Sequence, residues 1–214
     1  MAFRYSSFFS YRRNQGELDY MRKLKNLIQT EAQTATNRSD VFFDEESIDH
    51  GREFDIAIYT SIVQSYSFVF ILTPHYLSLE NLWCAKEIHR AIQFENALRT
   101  KLGNPDFCFI FPYLHRGSAA FLPASISTKN IRDLNQYETS LNNGIVNEDI
   151  TQLKRDICDV LSRNYEMISK VSDGILNEVI QKLEIPDDSK IIDWVKTQKR
   201  QANSIESQNL PIIQ

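Results

Sequence analysis

Brief apolar runs alternate with stretches of helical period through the first 135 residues, and few folds accommodate that order. FRYSSFFS, DVFFD, SFVFILT and FCFIF are short and rich in Phe, Ile and Val. Between the first three lie ELDYMRKLKNLIQTEAQ and EFDIAIYTSIVQS, which carry the apolar spacing of helices. A further helical pattern begins near Trp83, and NIRDL is a weaker candidate strand. Strands rich in Phe, Ile and Val, with helices between them, argue for a parallel sheet covered on both faces. Five such strands predict an α/β, flavodoxin-like, doubly wound parallel sheet, whose ligands sit beyond the C-terminal ends of the strands. The functional groups are therefore expected in the loops that follow strands.

Beyond Leu134 the pattern is helical without strands: NEDITQLKRDICDVLSRNYEMISK, then ILNEVIQKLE, then SKIIDWVKTQKR. This reading places the wound domain over residues 1–168, a helical C-terminal extension over 169–200 and a flexible tail over 201–214. The extension either packs on the domain or serves as a docking appendage, with Ile191, Ile192, Trp194 and Val195 as its apolar face.

A chain of 214 residues has room for one good-sized core. Its net charge of −4 offers no strongly basic face, so direct nucleic-acid binding is not expected. Cys84, Cys108 and Cys158 are odd in number and lie among apolar neighbours, which suits reduced thiols and a cytoplasmic protein. No apolar run approaches the ~18 residues that span a bilayer, and MAFRYSSFFSYRR lacks the longer apolar segment of a secretion signal, so no membrane partner is expected. His50, His75, His89 and His115 fall in separate segments, and no metal site is expected from them. The glycine-rich phosphate loop and the GxSxG nucleophile elbow are absent from the sequence. A phospho-accepting receiver domain shares the fold but needs an acidic cluster after the first strand and an aspartate ending the third. Those places read FSYRR and LTPH here.

Three loops remain. The first strand runs into Ser10, Tyr11, Arg12 and Arg13, and paired arginines can hold a diphosphate by bidentate hydrogen bonds. The second enters EESIDHGRE, a long charged loop in which Gly51 permits an unusual backbone angle. The third leads to NLWCAKEIHRA, where Trp83, Glu87, Ala91, Phe94 and Leu98 fall in one helical stripe. Every member but Glu87 is apolar. Either Glu87 is a rim residue reaching water, or it sits in a cleft with a partner, because burying an unpaired charge costs several kcal/mol in order of magnitude.

FFSYRRNQGELDYMRKLKNLI, VFFDEESIDHGREFDIAIYTSIVQS, FVFILTPHYL and LWCAKEI, in that order over about residues 5 to 135, resemble a Toll/interleukin receptor (TIR) domain. The FxSYRR motif and the W-x-x-x-E turn from Trp83 to Glu87 are similar to the NAD-cleaving branch, which includes bacterial anti-phage effectors. Ser6 stands where the family often has an aspartate, and Ser47 where some members carry a basic residue. The resemblance implies a cytoplasmic NAD+ glycohydrolase in antiviral defence signalling, with Glu87 catalytic and Ser10, Tyr11, Arg12, Arg13, Asp49 and Trp83 binding substrate. It implies no cofactor, NAD being the substrate, and release of nicotinamide with ADP-ribose or a cyclic isomer. It also implies self-association through TIR domains, with the Glu45 to Arg52 loop completing a shared site, and a separate sensor or effector protein as a further partner. The alternative is a non-enzymatic TIR scaffold acting through homotypic contacts.

Overall fold

Five parallel strands form one sheet, in the order β2-β1-β3-β4-β5, in the computed structural model, which describes residues 3–12, 14–43, 54–74, 76–80, 82–116, 126, 129 and 131–208. The strands are β1 (Ser7–Tyr11), β2 (Val41–Phe43), β3 (Phe68–Leu72), β4 (Ile110–Leu114) and β5 (Arg132–Asp133). The described helices are α1 (Leu18–Thr36), α2 (Phe54–Val63), α3 (Trp83–Leu102), α4 (Glu138–Asn143), α5 (Glu148–Ile168), α6 (Asp173–Gln181) and α7 (Asp188–Gln208). The doubly wound architecture expected from the alternation is present.

β2 and β3 are apolar and buried on both sides, and β1 nearly so, because each side of the sheet meets helices. Phe8, Phe42, Phe68 and Phe70 point to one face, where they pack with Ile58 and Ile62 of α2 and Ile88, Phe94 and Leu98 of α3. Phe9, Phe43, Val69 and Ile71 point to the other, against Met21, Leu24 and Ile28 of α1 and Leu153, Ile157 and Leu161 of α5. The register pairs Phe8 with both Phe42 and Phe68. Their rings stack across three strands, at 4.8 Å between Phe8 and Phe42 and 5.4 Å between Phe8 and Phe68. Full burial of each such side chain contributes on the order of 2–3 kcal/mol.

The fourth strand lies further along the chain than the FCFIF run suggests, and it contains Pro112. His115 N–H donates to Leu72 O, so the odd-numbered amides of this segment face β3 and the even-numbered ones face the β5 side. β5 pairs only with Tyr113 and Leu114. Pro112 therefore removes no bond from the described ladder, as a proline in a strand must. Where β4 begins, Phe109 N–H and Ile110 N–H both donate to Glu95 of α3, at 2.8 and 2.9 Å. Lys129 approaches the same carboxylate to 2.7 Å and Arg99 to 3.0 Å. This carboxylate sets the position at which β4 enters the sheet.

The C-terminal helices pack on the domain. Leu176 and Val179 of α6 and Ile191 and Val195 of α7 join the core on the α3 side, with Trp194 partly buried against it. Residues 201–208, expected to belong to a tail, continue α7 to Gln208, and 209–214 lie outside the described residues. Residues 188–208 contain neither proline nor glycine to stop a helix.

Glu95 provides a test of this account. Glu95→Ala leaves two strand amides and the Lys129 ammonium without their shared acceptor, so the loss of stability in denaturant unfolding should be about 3–5 kcal/mol. A loss below about 1 kcal/mol would show that β4 is placed by its side-chain packing alone.

Candidate active site

Strand alternation separates the two residues that end β1. Ser10 is buried on the α3 face, while the Tyr11 ring lies on the opposite face, stacked on Phe43 at 4.9 Å with 5° between the planes. Tyr11 still meets α3 through its backbone, because its carbonyl accepts from Cys84 Sγ at 3.7 Å. That contact ties the first turn of α3 to the C-terminal end of β1. Arg12 follows, half-buried, at the sheet edge where the fold class predicts ligands.

The stripe on α3 enters the core as its spacing predicts. Trp83, at the first helical position, is 36% exposed, whereas Ala91, Phe94 and Leu98 are at 0%. Glu87 is 5% exposed, and its Oε2 accepts a hydrogen bond from the Ser10 hydroxyl. A rim carboxylate reaching water would not look like this. The geometry places Glu87 inside the fold with a buried partner, one helical turn from an accessible indole.

Ser10 has a second neighbour absent from the sequence-derived candidates. The Tyr76 hydroxyl, from the loop between β3 and α3, lies 2.5 Å from Ser10 Oγ. Tyr76 is 1% exposed, its ring packs on Phe70 at 5.3 Å, and its backbone N–H donates to Thr73 O at 3.0 Å. Burial, reinforced by Cys84 and Glu87, holds its pKa well above the ordinary tyrosine value; the bond to Ser10 opposes this more weakly. The phenol is a donor throughout the working pH range. A signal for it exists in FVFILTPHYL, since a buried tyrosine hydroxyl in a loop after a strand usually finds a partner.

Around Trp83, the Lys86 ammonium sits 4.7 Å from the ring centroid and also 2.7 Å from Asp188 of α7. The C-terminal helices thus reach the rim of the site through one lysine. Arg13, Asp49 and the rest of the loop over residues 44–53 lie outside the described residues.

A second polar group occupies the same sheet edge on the α1 face. His115 is fully buried, stacked on Tyr20 at 4.4 Å, and burial lowers its pKa so that the imidazole is neutral near pH 7. Arg116 joins Glu17 at 2.9 Å to Glu138 at 2.8 Å. These contacts tie the end of β4 to the starts of α1 and α4 and do not reach Glu87. Among the described residues no group of three or more His, Cys, Asp or Glu side chains could hold a metal ion. Among them, too, no helix is long and apolar enough to cross a membrane.

The family model described as "TIR domain" matches residues 8–144, from β1 through the end of α4. No curated protein matches the sequence. Solved structures with a similar fold include a metazoan TIR-STING receptor from C. gigas in complex with 2',3'-cGAMP, at 16% identity and a TM-score of 0.49. The likeness covers 74% of this chain but only 39% of that one. Another is the activated Roq1 resistosome recognising the pathogen effector XopQ, in its TIR domains, at 14% identity and a TM-score of 0.39, covering 84% of this chain and 96% of that one. With the family match spanning every strand of the sheet, the chain belongs to the TIR-domain family.

Proposed function

We propose that this chain is an NAD+ glycohydrolase that uses Glu87 to cleave the bond between nicotinamide and ribose. The observation that carries the reading is the placement of Glu87: a buried carboxylate at the ligand-binding edge of the sheet, held by a hydroxyl from β1 and one turn from the accessible Trp83. The chemistry asks for little more. Cleavage passes through an oxocarbenium-like transition state, as in other glycosidic reactions. The leaving group is already a pyridinium and departs as a neutral base, so no general acid is required. Glu87 would accept hydrogen bonds from the nicotinamide-ribose hydroxyls and set its negative charge beside the developing cation. Trp83 would cover the nicotinamide or ribose and exclude water, and Arg12 and Arg13 would grip the diphosphate. NAD is the substrate, and the reaction needs no resident cofactor. Water as acceptor yields ADP-ribose, while attack by one of the substrate's own groups yields a cyclic isomer. In the biology implied by the resemblance, this activity serves antiviral defence signalling.

The decisive measurement is nicotinamide release from NAD followed by chromatography. Glu87→Gln keeps the size and much of the hydrogen bonding but removes the charge, so release should fall by at least ~100-fold, the scale of losing one electrostatic stabiliser. Substantial turnover in a folded Gln variant would reject Glu87. Absence of release from the unaltered protein, dilute or clustered, would leave the non-enzymatic scaffold as the better reading.

Diphosphate recognition is tested by titration calorimetry. Arg12→Ala should weaken binding of NAD and ADP-ribose and leave nicotinamide binding nearly unchanged; equal loss for all three ligands would point to general damage.

Self-association belongs to the same proposal, with the Glu45 to Arg52 loop of one copy closing the site of another. Specific activity should then rise steeply with protein concentration, because association supplies the missing wall by mass action. Mixing Glu87→Gln with Asp49→Ala chains should restore part of the activity. A flat concentration dependence and no restoration would place the complete site within one chain.

A further inference from the structure

We propose that Tyr76 is a positioning residue for Glu87, acting through Ser10 as a two-step hydrogen-bond chain that fixes the direction and the charge of the carboxylate. As a statement about turnover this rests on the NAD-cleaving reading; as a statement about Glu87 it stands on geometry alone.

The order of donation follows from counting protons. An ionised carboxylate only accepts, and a serine hydroxyl has one proton to give. Ser10 donates that proton to Glu87 Oε2, so the short contact between Ser10 Oγ and the Tyr76 hydroxyl must be filled by the tyrosine proton. The reverse assignment would leave two oxygens facing each other at Glu87. All three groups are at most 5% exposed, so water does not compete for these bonds. In such surroundings successive bonds polarise one another and reinforce the last in the chain.

A serine hydroxyl by itself is a free rotor and holds nothing in place. Tyr76 removes that freedom because it cannot move. Its ring is locked against Phe70, its backbone is bonded to Thr73, and its burial keeps the phenol protonated. The described titratable groups acting on it, Cys84 and Glu87, both lie on α3. The chain consequently joins three separate elements: the β3 to α3 loop, the end of β1 and the second turn of α3. A charge that must meet a developing cation loses much of its effect if its side chain can swing away. Tyr76 would supply that restraint without touching substrate.

The experiment compares Tyr76→Phe, Ser10→Ala and the double variant in the full chain. It records nicotinamide release as kcat and KM over pH, and the titration of Glu87 by NMR of a 13C-labelled carboxyl. Tyr76→Phe keeps the ring and should fold; its kcat should fall by roughly 3- to 10-fold with KM little changed, the scale of one neutral hydrogen bond. A donor to the ionised form favours that form, and Ser10 without the phenol behind it is a weaker and less fixed donor, so the Glu87 pKa should rise and the acid limb of the kcat profile should move to higher pH. Ser10→Ala should do at least as much, and the double variant no more than Ser10→Ala, because the tyrosine acts only through the serine. Unchanged Glu87 titration in Tyr76→Phe would overturn the proposal, whether or not stability or kcat had altered. So would a double variant clearly worse than Ser10→Ala. If the unaltered protein releases no nicotinamide, the functional reading fails by itself, and the carboxyl titration still decides the role of Tyr76. Should Tyr76→Phe not fold, the same titration in Ser10→Ala decides, an unshifted Glu87 again overturning the chain.

Discussion

Burial of the sheet on both faces is the constraint from which the rest of this structure follows. A parallel strand whose every side chain is apolar cannot leave either face in water, so the chain must return a helix to each side after nearly every strand. The Phe8, Phe42 and Phe68 stack holds β2, β1 and β3 in register from within. α2 and α3 cover that face, while α1 and α5 cover the other. With both faces closed, the polar chemistry is left to the C-terminal rim, where β1 and β3 hand over to loops.

Several of the polar groups that enter this interior are held by specific partners. Ser6, at the foot of β1, donates to Asp40 O at 3.0 Å, and Asn164 of α5 donates to Tyr66 O at 3.1 Å. α3 buries two carboxylates, Glu87 and Glu95, about two turns apart on the helix. Glu95 collects two backbone amides, a lysine and an arginine, and its work is to hold β4. Glu87 receives a hydroxyl backed by a phenol, beside an indole that is open to solvent. The same residue type on one helix thus serves architecture in one place and, in the proposed function, chemistry in the other, and the difference lies in what surrounds it.

The C-terminal helices belong to this arrangement more closely than an appendage would. Leu176, Val179, Ile191 and Val195 complete the core over α3, and Asp188 reaches Lys86 beside Trp83. His89 of α3 meets Trp194 edge to face at 5.3 Å, and Arg90 donates to Glu184 O at 3.3 Å. α3 is accordingly packed from the sheet below and from α6 and α7 outside.

The sequence by itself determined what depends on local period and order: the alternation of strands and helices, the parallel sheet, the edge where ligands belong, and the stripe from Trp83 through Glu87 to Leu98. The sequence reading groups Ser10 and Tyr11 as substrate-binding, whereas alternation along β1 sends the Tyr11 ring to the opposite face, against Phe43. Tertiary structure alone decided which buried groups meet. Ser10 is 77 residues from Glu87 and 66 from Tyr76, and no periodic pattern relates positions so far apart. The same holds for Glu95, an unremarked member of a helical run until the amides at the start of β4 arrive beside it, and for Pro112, whose place in a strand depends on which of its neighbours is absent. Hydrophobic period records which side of an element is buried; it carries no information about the polar partner waiting there, because that partner is supplied by another part of the chain.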